Sequence, residues 1–219
     1  MSKRKILALA LTVAMIAILA VGGTLAYFTD TEEATNVFTM GNVDITLDEA
    51  GVEKNGDEWT ATNDRVQENE YEDVYPGAVL PKDPIVHNVG SYDAYVRAKV
   101  TVDFNKLAGM QADKTLFNGK DDDDLKTLVN INTEEWAFEN YDYSLSDRTV
   151  TYTYTYKTVL AADTDTAALF TQVTIPAGLT NEEVAGYGLD EFEINVVAEA
   201  IQTTGFDSAV EAWAAFDAE

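Results

Sequence analysis

The chain of 219 residues contains no cysteine and one histidine, and its acidic residues greatly outnumber its basic ones. The absence of cysteine excludes a disulfide framework, on which many small secreted domains rely. Stability must therefore come from burial of apolar side chains, from divalent ions or from association between subunits. With 39 Asp and Glu against 14 Lys and Arg, the chain is unsuited to binding nucleic acid or anionic membranes and suited to remaining soluble.

The N-terminus has the organisation of a secretory signal peptide. Residues 3–5 (KRK) are cationic, and residues 6–21 are apolar apart from one threonine. Small residues at Thr24 and Ala26 predict cleavage after Ala26, so that the mature chain begins at Tyr27. The alternative is an uncleaved membrane anchor, but an apolar run of about 16 residues falls short of the roughly 20 that a spanning helix needs. Loss of three of the 14 cations would leave 11 against 39 acids, a net charge of about −28.

Alternation of apolar and polar residues beyond the signal predicts several short strands separated by turns. The longest alternation predicts a strand whose inward-facing residues are Ala94, Val96, Ala98, Val100, Val102 and Phe104. Residues 149–156 and 192–200 alternate in the same way, and three tyrosines share one face of the first of these two segments. That face either packs in the core or forms a flat binding platform. The pattern predicts an all-β fold, a β-sandwich in one domain over residues 27–219.

Between these strands the sequence is less regular. Residues 50–74 are polar and acidic, which indicates a loop or a protruding hairpin, with Trp59 as its large apolar residue. A short helix is predicted near residues 123–129. The C-terminal segment also indicates a helix, because Ser208 and Glu211 fit a capping box and Val210, Trp213 and Ala214 fall on one face.

Several motifs, in order, resemble those of the TasA/camelysin family. They are "GGTLAYFTDTE" with "NVFTMGNVDITL" near the N-terminus, "YPGAVLPKDPIVHNVGSYDAYVRAKV" in the middle, and "AEAIQTTGFDSAVEAWAAF" at the C-terminus. Together they cover about half of the chain, and residues 105–148 contribute nothing to the resemblance. The resemblance implies a jelly-roll-like antiparallel sandwich, a signal helix cleaved by a SipW-type peptidase, and contact with the membrane only before cleavage.

The resemblance further implies filaments of an extracellular biofilm matrix, in which the freed N-terminal segment of one subunit completes a sheet of the next. Here the donor strand would be residues 27–38, with Phe28, Val37 and Phe38 filling pockets of the neighbour. Twelve extended residues reach roughly 40 Å, enough to cross one subunit. An open sheet edge of the neighbour would supply the acceptor. The alternative is a frayed N-terminus with no partner.

Camelysin is described as a metallopeptidase, so the sequence must be tested for catalytic groups. A catalytic zinc site needs imidazole or mixed imidazole and carboxylate ligands with one position open to water. The chain offers only His87, without a His-Glu-x-x-His motif, and a Ser-His-Asp triad would need the same residue. We therefore expect no catalytic residues and interpret His87 as a packed or edge residue of a strand.

The acidic run at Asp121, Asp122, Asp123 and Asp124 is a candidate for weak Ca²⁺ binding, and other loop aspartates leave weak divalent binding at subunit contacts open. Consecutive acids point in different directions, and the spacing of a calcium-binding loop is missing. A solvated run of charge is the simpler interpretation, and no other cofactor is expected.

From the sequence we therefore expect a secreted, non-enzymatic subunit that polymerises with copies of itself in the extracellular matrix or at the cell surface. Two alternatives stay open. One is a monomeric, Ca²⁺-dependent surface adhesion module, and the other is a camelysin-type surface metallopeptidase.

Overall fold

The structure is a computed structural model that describes residues 42–104, 106–107, 121–180, 182–183 and 193–218. These residues form ten strands and two short helices: β1 (Ile45–Asn55), β2 (Glu58–Val66), β3 (Val79–Pro81), β4 (Ile85–Asn88), β5 (Ala94–Asp103), α1 (Asp123–Lys126), β6 (Trp136–Ser144), β7 (Thr149–Tyr156), β8 (Thr164–Asp165), β9 (Gln172–Thr174), β10 (Ile194–Gln202) and α2 (Ala209–Phe216). The predicted all-β antiparallel sandwich with a few short helices is confirmed. The predicted signal helix lies outside the described residues.

Two four-stranded sheets build the fold, and every strand pairing between the named strands is antiparallel. The first sheet has the order β2-β1-β4-β8 and the second has the order β10-β5-β7-β6. Strands β3 and β9 form a separate two-stranded ribbon. Because each large sheet hides one face, its strands alternate apolar and polar residues, which is the pattern that the sequence displays.

The core is centred on β5 and β7. All the inward residues predicted for β5 are fully buried except Phe104, which is half-buried. Tyr152 and Tyr154 of β7 are also fully buried, so this face packs in the core and is not a surface platform. The Tyr154 hydroxyl donates a hydrogen bond of 2.8 Å to Asp122, which satisfies its polar end.

The first part of the acidic segment 50–74 belongs to a hairpin of β1 and β2. A protruding hairpin was one of the two structures predicted for this segment. Strands β1 and β2 pair around Gly56, whose φ of 68° suits a residue without a side chain. Trp59 is buried beneath the hairpin, where its ring lies 6.4 Å from Tyr71 and 6.2 Å from Tyr75. Burial of this indole holds a polar hairpin against the sandwich.

Helix α2 packs on the outer face of the second sheet through Arg97 of β5. The Arg97 guanidinium donates to Asp217 at 2.5 and 3.0 Å and to Glu199 of β10 at 2.5 Å. It also lies 4.4 Å from the ring centre of Trp213. Arg97 is therefore only 4% exposed, although it belongs to the outward-facing set of β5.

The N-terminus of α2 is capped as predicted, since the Ser208 side chain accepts a hydrogen bond from the Glu211 amide. The predicted apolar face is wrong in part. Val210 is 80% exposed, and the buried residues are Ala212 and Trp213. The buried face of α2 is determined by Arg97, because the Trp213 ring stacks on its guanidinium.

Replacing Arg97 tests this arrangement. We expect Arg97→Ala to lower the free energy of unfolding by about 3 kcal/mol, because it leaves Glu199 poorly paired and removes the cation that lies against Trp213. Urea unfolding followed by tryptophan fluorescence measures the change. Lys157→Ala is the matched control, since Lys157 is exposed and its ammonium donates to the Thr133 carbonyl; the substitution should cost at most about 0.5 kcal/mol. Equal losses in the two variants would contradict the role given to Arg97.

Candidate functional site

His87 lies between two carboxylates on the outer face of the first sheet. Strand β4 places it beside Thr46 of β1 and beside Asp165 of β8. Its Nδ1 is 2.6 Å from Asp165 and its Nε2 is 2.9 Å from Asp48. Because ionised carboxylates only accept hydrogen bonds, this arrangement favours a proton on both ring nitrogens and hence a positively charged ring.

The charged residues continue across the sheet. Asp48 also accepts a hydrogen bond of 2.7 Å from Nε of Arg65, and Arg65 donates one of 2.8 Å to Asp83. Asp165, His87, Asp48 and Arg65 thus alternate in sign across the strands β8, β4, β1 and β2, and Asp83 of the β3–β4 connection continues the alternation. We call these five residues the charge ladder. It links all four strands of the sheet through side chains.

The charge ladder shifts the pKa of His87 and of Asp48. Burial, the largest effect on His87, favours the neutral ring, but the hydrogen bonds to Asp48 and Asp165 outweigh it and raise the pKa of His87. Burial also disfavours the ionised form of Asp48, yet its bonds to His87 and Arg65 prevail and lower its pKa. The ladder therefore favours a charged imidazolium between ionised carboxylates.

This geometry does not fit a catalytic metal. A histidine ligand must present a free nitrogen lone pair to the ion, and both ring nitrogens of His87 lie within hydrogen-bond distance of carboxylates. Within the described ranges no three His, Cys, Asp or Glu residues are grouped so that they could hold a metal ion. The depression beside the ring is shallow and open, and is lined by residues of β1, β4 and the β7–β8 connection.

The aspartates of the acidic run at residues 121–124 make different contacts. Asp122 is buried and binds the Tyr154 hydroxyl and, at 2.7 Å, the Lys126 ammonium. Asp121 accepts a hydrogen bond from the Asp123 amide, and the Asp123 side chain is exposed. Among the described residues no three carboxylates of this run are grouped so that they could hold a metal ion, and weak Ca²⁺ binding stays a prediction.

The edge strands of the two sheets differ in how well they are protected against pairing with another strand. Strand β8 has two residues, and β6 has a register shift between Phe138 and Asn140 with acidic residues along it. Strand β2 faces a register shift in β1 and is mostly polar. Short, bulged and charged strands are the usual protection of a sheet edge.

Strand β10 lacks each of these protections. It is nine residues long, carries Glu199 as its single charge, and pairs with β5 without a register shift. No described strand pairs with its other edge. A long, regular and nearly uncharged edge is a template for strand addition.

The direction of the backbone groups along β10 follows from its pairing. The Thr203 amide donates to the Asp93 carbonyl, so odd-numbered residues of β10 bond to β5. The backbone N–H and C=O groups of Val196, Ala198 and Ala200 therefore point to the open edge. Their side chains are half-buried against the core. Both a row of hydrogen-bonding groups and a partly covered apolar face are thus available along one strand.

A second open edge lies close to the first. The Asp44 carbonyl accepts hydrogen bonds from the amides of Val89 and Gly90, so even-numbered residues at the start of β1 bond towards β4. The backbone groups of Ile45 and Leu47 point the other way, where no described strand pairs with them. Cα atoms of β1 and β10 come within 8 Å of each other. The half-buried side chains of both strands therefore line one apolar seam.

The residues predicted for export and donation lie outside the described residues. These are Thr24, Ala26 and Tyr27 at the cleavage site and Phe28, Val37 and Phe38 in the donor strand. Their roles stay predictions. In the described residues no helix is both long and apolar enough to cross a membrane.

The described residues define an all-β sandwich protein in which no described strand pairs with the outer edge of β10. The chain belongs to the family described as camelysin metallo-endopeptidase, whose model matches residues 2–133. The match includes β1 to β5 and α1 and ends before β6, so the open strand β10 lies beyond it. Comparison with curated proteins gives no match, and comparison with solved structures gives none.

The partners of His87 were not predicted from the sequence. Asp48 lies 39 residues before it and Asp165 lies 78 residues after it, so only the strand pairing brings them together. The alternation of β1 does place Asp48 on the polar face. The one signal for the open edge is the single charge in the nine residues of β10.

The charge ladder makes stability depend on pH. Because the folded pKa of His87 is raised, its contribution is complete below the unfolded pKa near 6.5 and is lost as pH rises through the folded pKa. We expect the free energy of unfolding to fall by about 1 kcal/mol more in the native chain than in His87→Gln between pH 6 and pH 9. Urea titrations at fixed ionic strength measure this difference.

Asp165→Asn is the intermediate control, because it removes one of the two carboxylates that stabilise the imidazolium. Its pH dependence should lie between those of the native chain and His87→Gln. Parallel stability curves for all three chains would show that the ring is not charged in the fold.

Proposed function

We propose that this protein is a secreted structural subunit of extracellular filaments, assembled by donation of an N-terminal strand to the next copy. The observation that carries the proposal is the open edge of β10, with outward backbone groups at Val196, Ala198 and Ala200 and no described strand beside it. An unpaired backbone group shielded from water costs about 1–3 kcal/mol. A partner strand that satisfies several such groups supplies a strong, directional contact.

The proposed donor matches this edge in length and character. Nine residues of β10 extend over roughly 30 Å, and the twelve residues 27–38 reach roughly 40 Å. Phe28, Val37 and Phe38 supply apolar side chains for the seam between β10 and β1. Donation from one copy to the next is a head-to-tail contact that does not close, and such a contact generates a fibre.

Export is part of the proposal. The signal pattern at residues 3–26 and cleavage after Ala26 would free Tyr27 as the new N-terminus, available to a neighbour. The net charge of the cleaved chain, about −28, keeps subunits soluble until they are paired. Assembly then occurs through neutral backbone groups. The negative charge of the subunits therefore does not direct this contact towards other macromolecules.

The family description names a metallo-endopeptidase, and we propose that this chain acts without catalysis. The support is the geometry of its only histidine, which is bound through both nitrogens to Asp48 and Asp165. Stoichiometric zinc together with chelator-sensitive proteolysis that is lost in His87→Gln would establish the enzymatic alternative.

Removal of the donor strand tests the proposal. We expect a secreted chain lacking residues 27–38 to fold with an unchanged circular dichroism spectrum and to remain monomeric, because it keeps the acceptor edge and lacks the strand that fills it. A synthetic peptide of residues 27–38 should bind this variant with 1:1 stoichiometry in calorimetry. Electron microscopy and sedimentation record the loss of fibres.

The acceptor side provides the control. Ala198→Pro removes an amide that β5 does not use, so the fold should survive while peptide binding falls at least tenfold. Ala198→Ser keeps the amide and should bind normally. Fibres formed by the chain lacking residues 27–38, or equal binding by the proline and serine variants, would refute strand donation to β10.

A further inference from the structure

Three side chains of complementary chemistry meet beside β1. Glu49 of β1 is 3% exposed, Lys82 directly follows β3, and Asn69 lies in the connection between β2 and β3. Glu49 Oε2 accepts a hydrogen bond of 2.5 Å from the Lys82 ammonium, and Glu49 Oε1 accepts one of 3.0 Å from the Asn69 side-chain amide. One buried carboxylate therefore holds an amine and a carboxamide next to each other. We call these residues the Lys-Glu-Asn triad.

The Asn69 carboxamide is held in one orientation by the backbone of β1. Its Oδ1 accepts a hydrogen bond of 3.1 Å from the Val52 amide, and its Nδ2 donates one of 2.8 Å to the Ala50 carbonyl. Because the backbone offers a donor at one position and an acceptor at the other, the oxygen and the nitrogen of this side chain are not interchangeable. The Val52 amide thus polarises the side-chain carbonyl and is placed to stabilise negative charge that develops on Oδ1.

The triad is shielded from water. The side chains of Lys82 and Glu49 are 16% and 4% exposed. The Tyr71 hydroxyl donates a hydrogen bond to the carbonyl of Pro81, the residue before Lys82. Burial and the negative charge of nearby Glu49 raise the pKa of Tyr71, so this phenol stays neutral and covers the site. Shielding of this kind favours attack on the carboxamide by the amine over attack by water.

These contacts supply the parts of an acyl transfer from one nitrogen to another. Glu49 takes a proton from the Lys82 ammonium, and the free amine attacks Cγ of Asn69 to form a new C–N bond. The same carboxyl group then delivers a proton to Nδ2, and the bond between Cγ and Nδ2 breaks. Ammonia leaves and takes up the remaining proton as ammonium, and Glu49 is a carboxylate again. No oxidant, reductant or other reactant is needed.

We propose that Lys82 and Asn69 join in an intramolecular isopeptide bond, formed once per chain with Glu49 as the catalytic carboxylate. The bond ties the β2–β3 connection to the β3–β4 connection and fastens both beside β1. A chain without cysteine has no disulfide to do this. The reaction is a self-modification and not the turnover of a substrate. It is independent of strand donation, because no member of the triad belongs to β10.

Mass spectrometry of the secreted chain tests the bond. We expect an intact mass lower by about 17 Da than the mass calculated from its own N-terminus, because one ammonia leaves. A protease that cuts after glutamate opens the ring at Glu70 and Glu72, yet the fragments that contain Asn69 and Lys82 should stay joined. Trypsin should not cut after Lys82, since its ammonium has become an amide. A succinimide at an asparagine loses the same mass but leaves the fragments separate.

Three variants assign the roles. Lys82→Arg keeps a cation beside Glu49 but has no amine that can attack, so the mass should equal the calculated one and the fragments should separate. Glu49→Gln keeps the shape and removes the proton acceptor, so the bond should form at least ~100-fold more slowly. Lys126→Arg is the matched control, since Lys126 also pairs with a buried carboxylate, that of Asp122, and this variant should keep the bond.

Two results would overturn the inference. Separate fragments from the native chain, together with an intact mass equal to the calculated one, would show that the triad is a noncovalent ion pair. Joined fragments that persist in Lys82→Arg would place the bond at another lysine. The digest of the native chain decides the question even if a variant fails to fold, and neither result bears on the formation of fibres.

Discussion

The nine-residue ladder between β5 and β10 is the constraint on which the account depends. It holds β10 in register without a bulge, so that every second residue turns its backbone groups away from the sheet. The same ladder supports Glu199, which Arg97 and Lys99 bind, and through Arg97 it positions α2 on the outer face. Under the proposed strand donation, a strand fixed so firmly on one side and left without a described partner on the other would be a preorganised acceptor, since no rearrangement is needed before a second strand pairs with it.

The charge ladder is the feature on which the proposal of a non-catalytic role rests. A lone histidine can serve as a ligand or a base only if one nitrogen is free, whereas the network from Asp165 to Asp83 uses both nitrogens of His87. The imidazolium here joins three strands of a sheet. In a chain without disulfides, side-chain links of this kind and the burial of Trp59 and Trp136 supply part of the cross-strand cohesion.

The local features were predictable from the sequence, and the non-local ones were not. Period-two alternation predicted the strands β5, β7 and β10 and their buried faces, because each strand has one covered face. The burial of Arg97 was missed because α2 covers the outer face of the sheet, and Val210 was misplaced because an eight-residue helix has little periodicity to read. The pairing of His87 and the openness of β10 depend on strand order, which no local pattern encodes.

Amide hydrogen exchange tests the central claim most directly. In the soluble monomer the account predicts an alternating pattern along β10, with the amides of Val197, Glu199 and Ile201 protected by β5 and those of Val196, Ala198 and Ala200 exchanging rapidly. In fibres all six should be protected, because a donated strand covers the open edge. Protection of Val196, Ala198 and Ala200 in the monomer equal to that of their neighbours would show that the edge is already occupied, and would contradict the account.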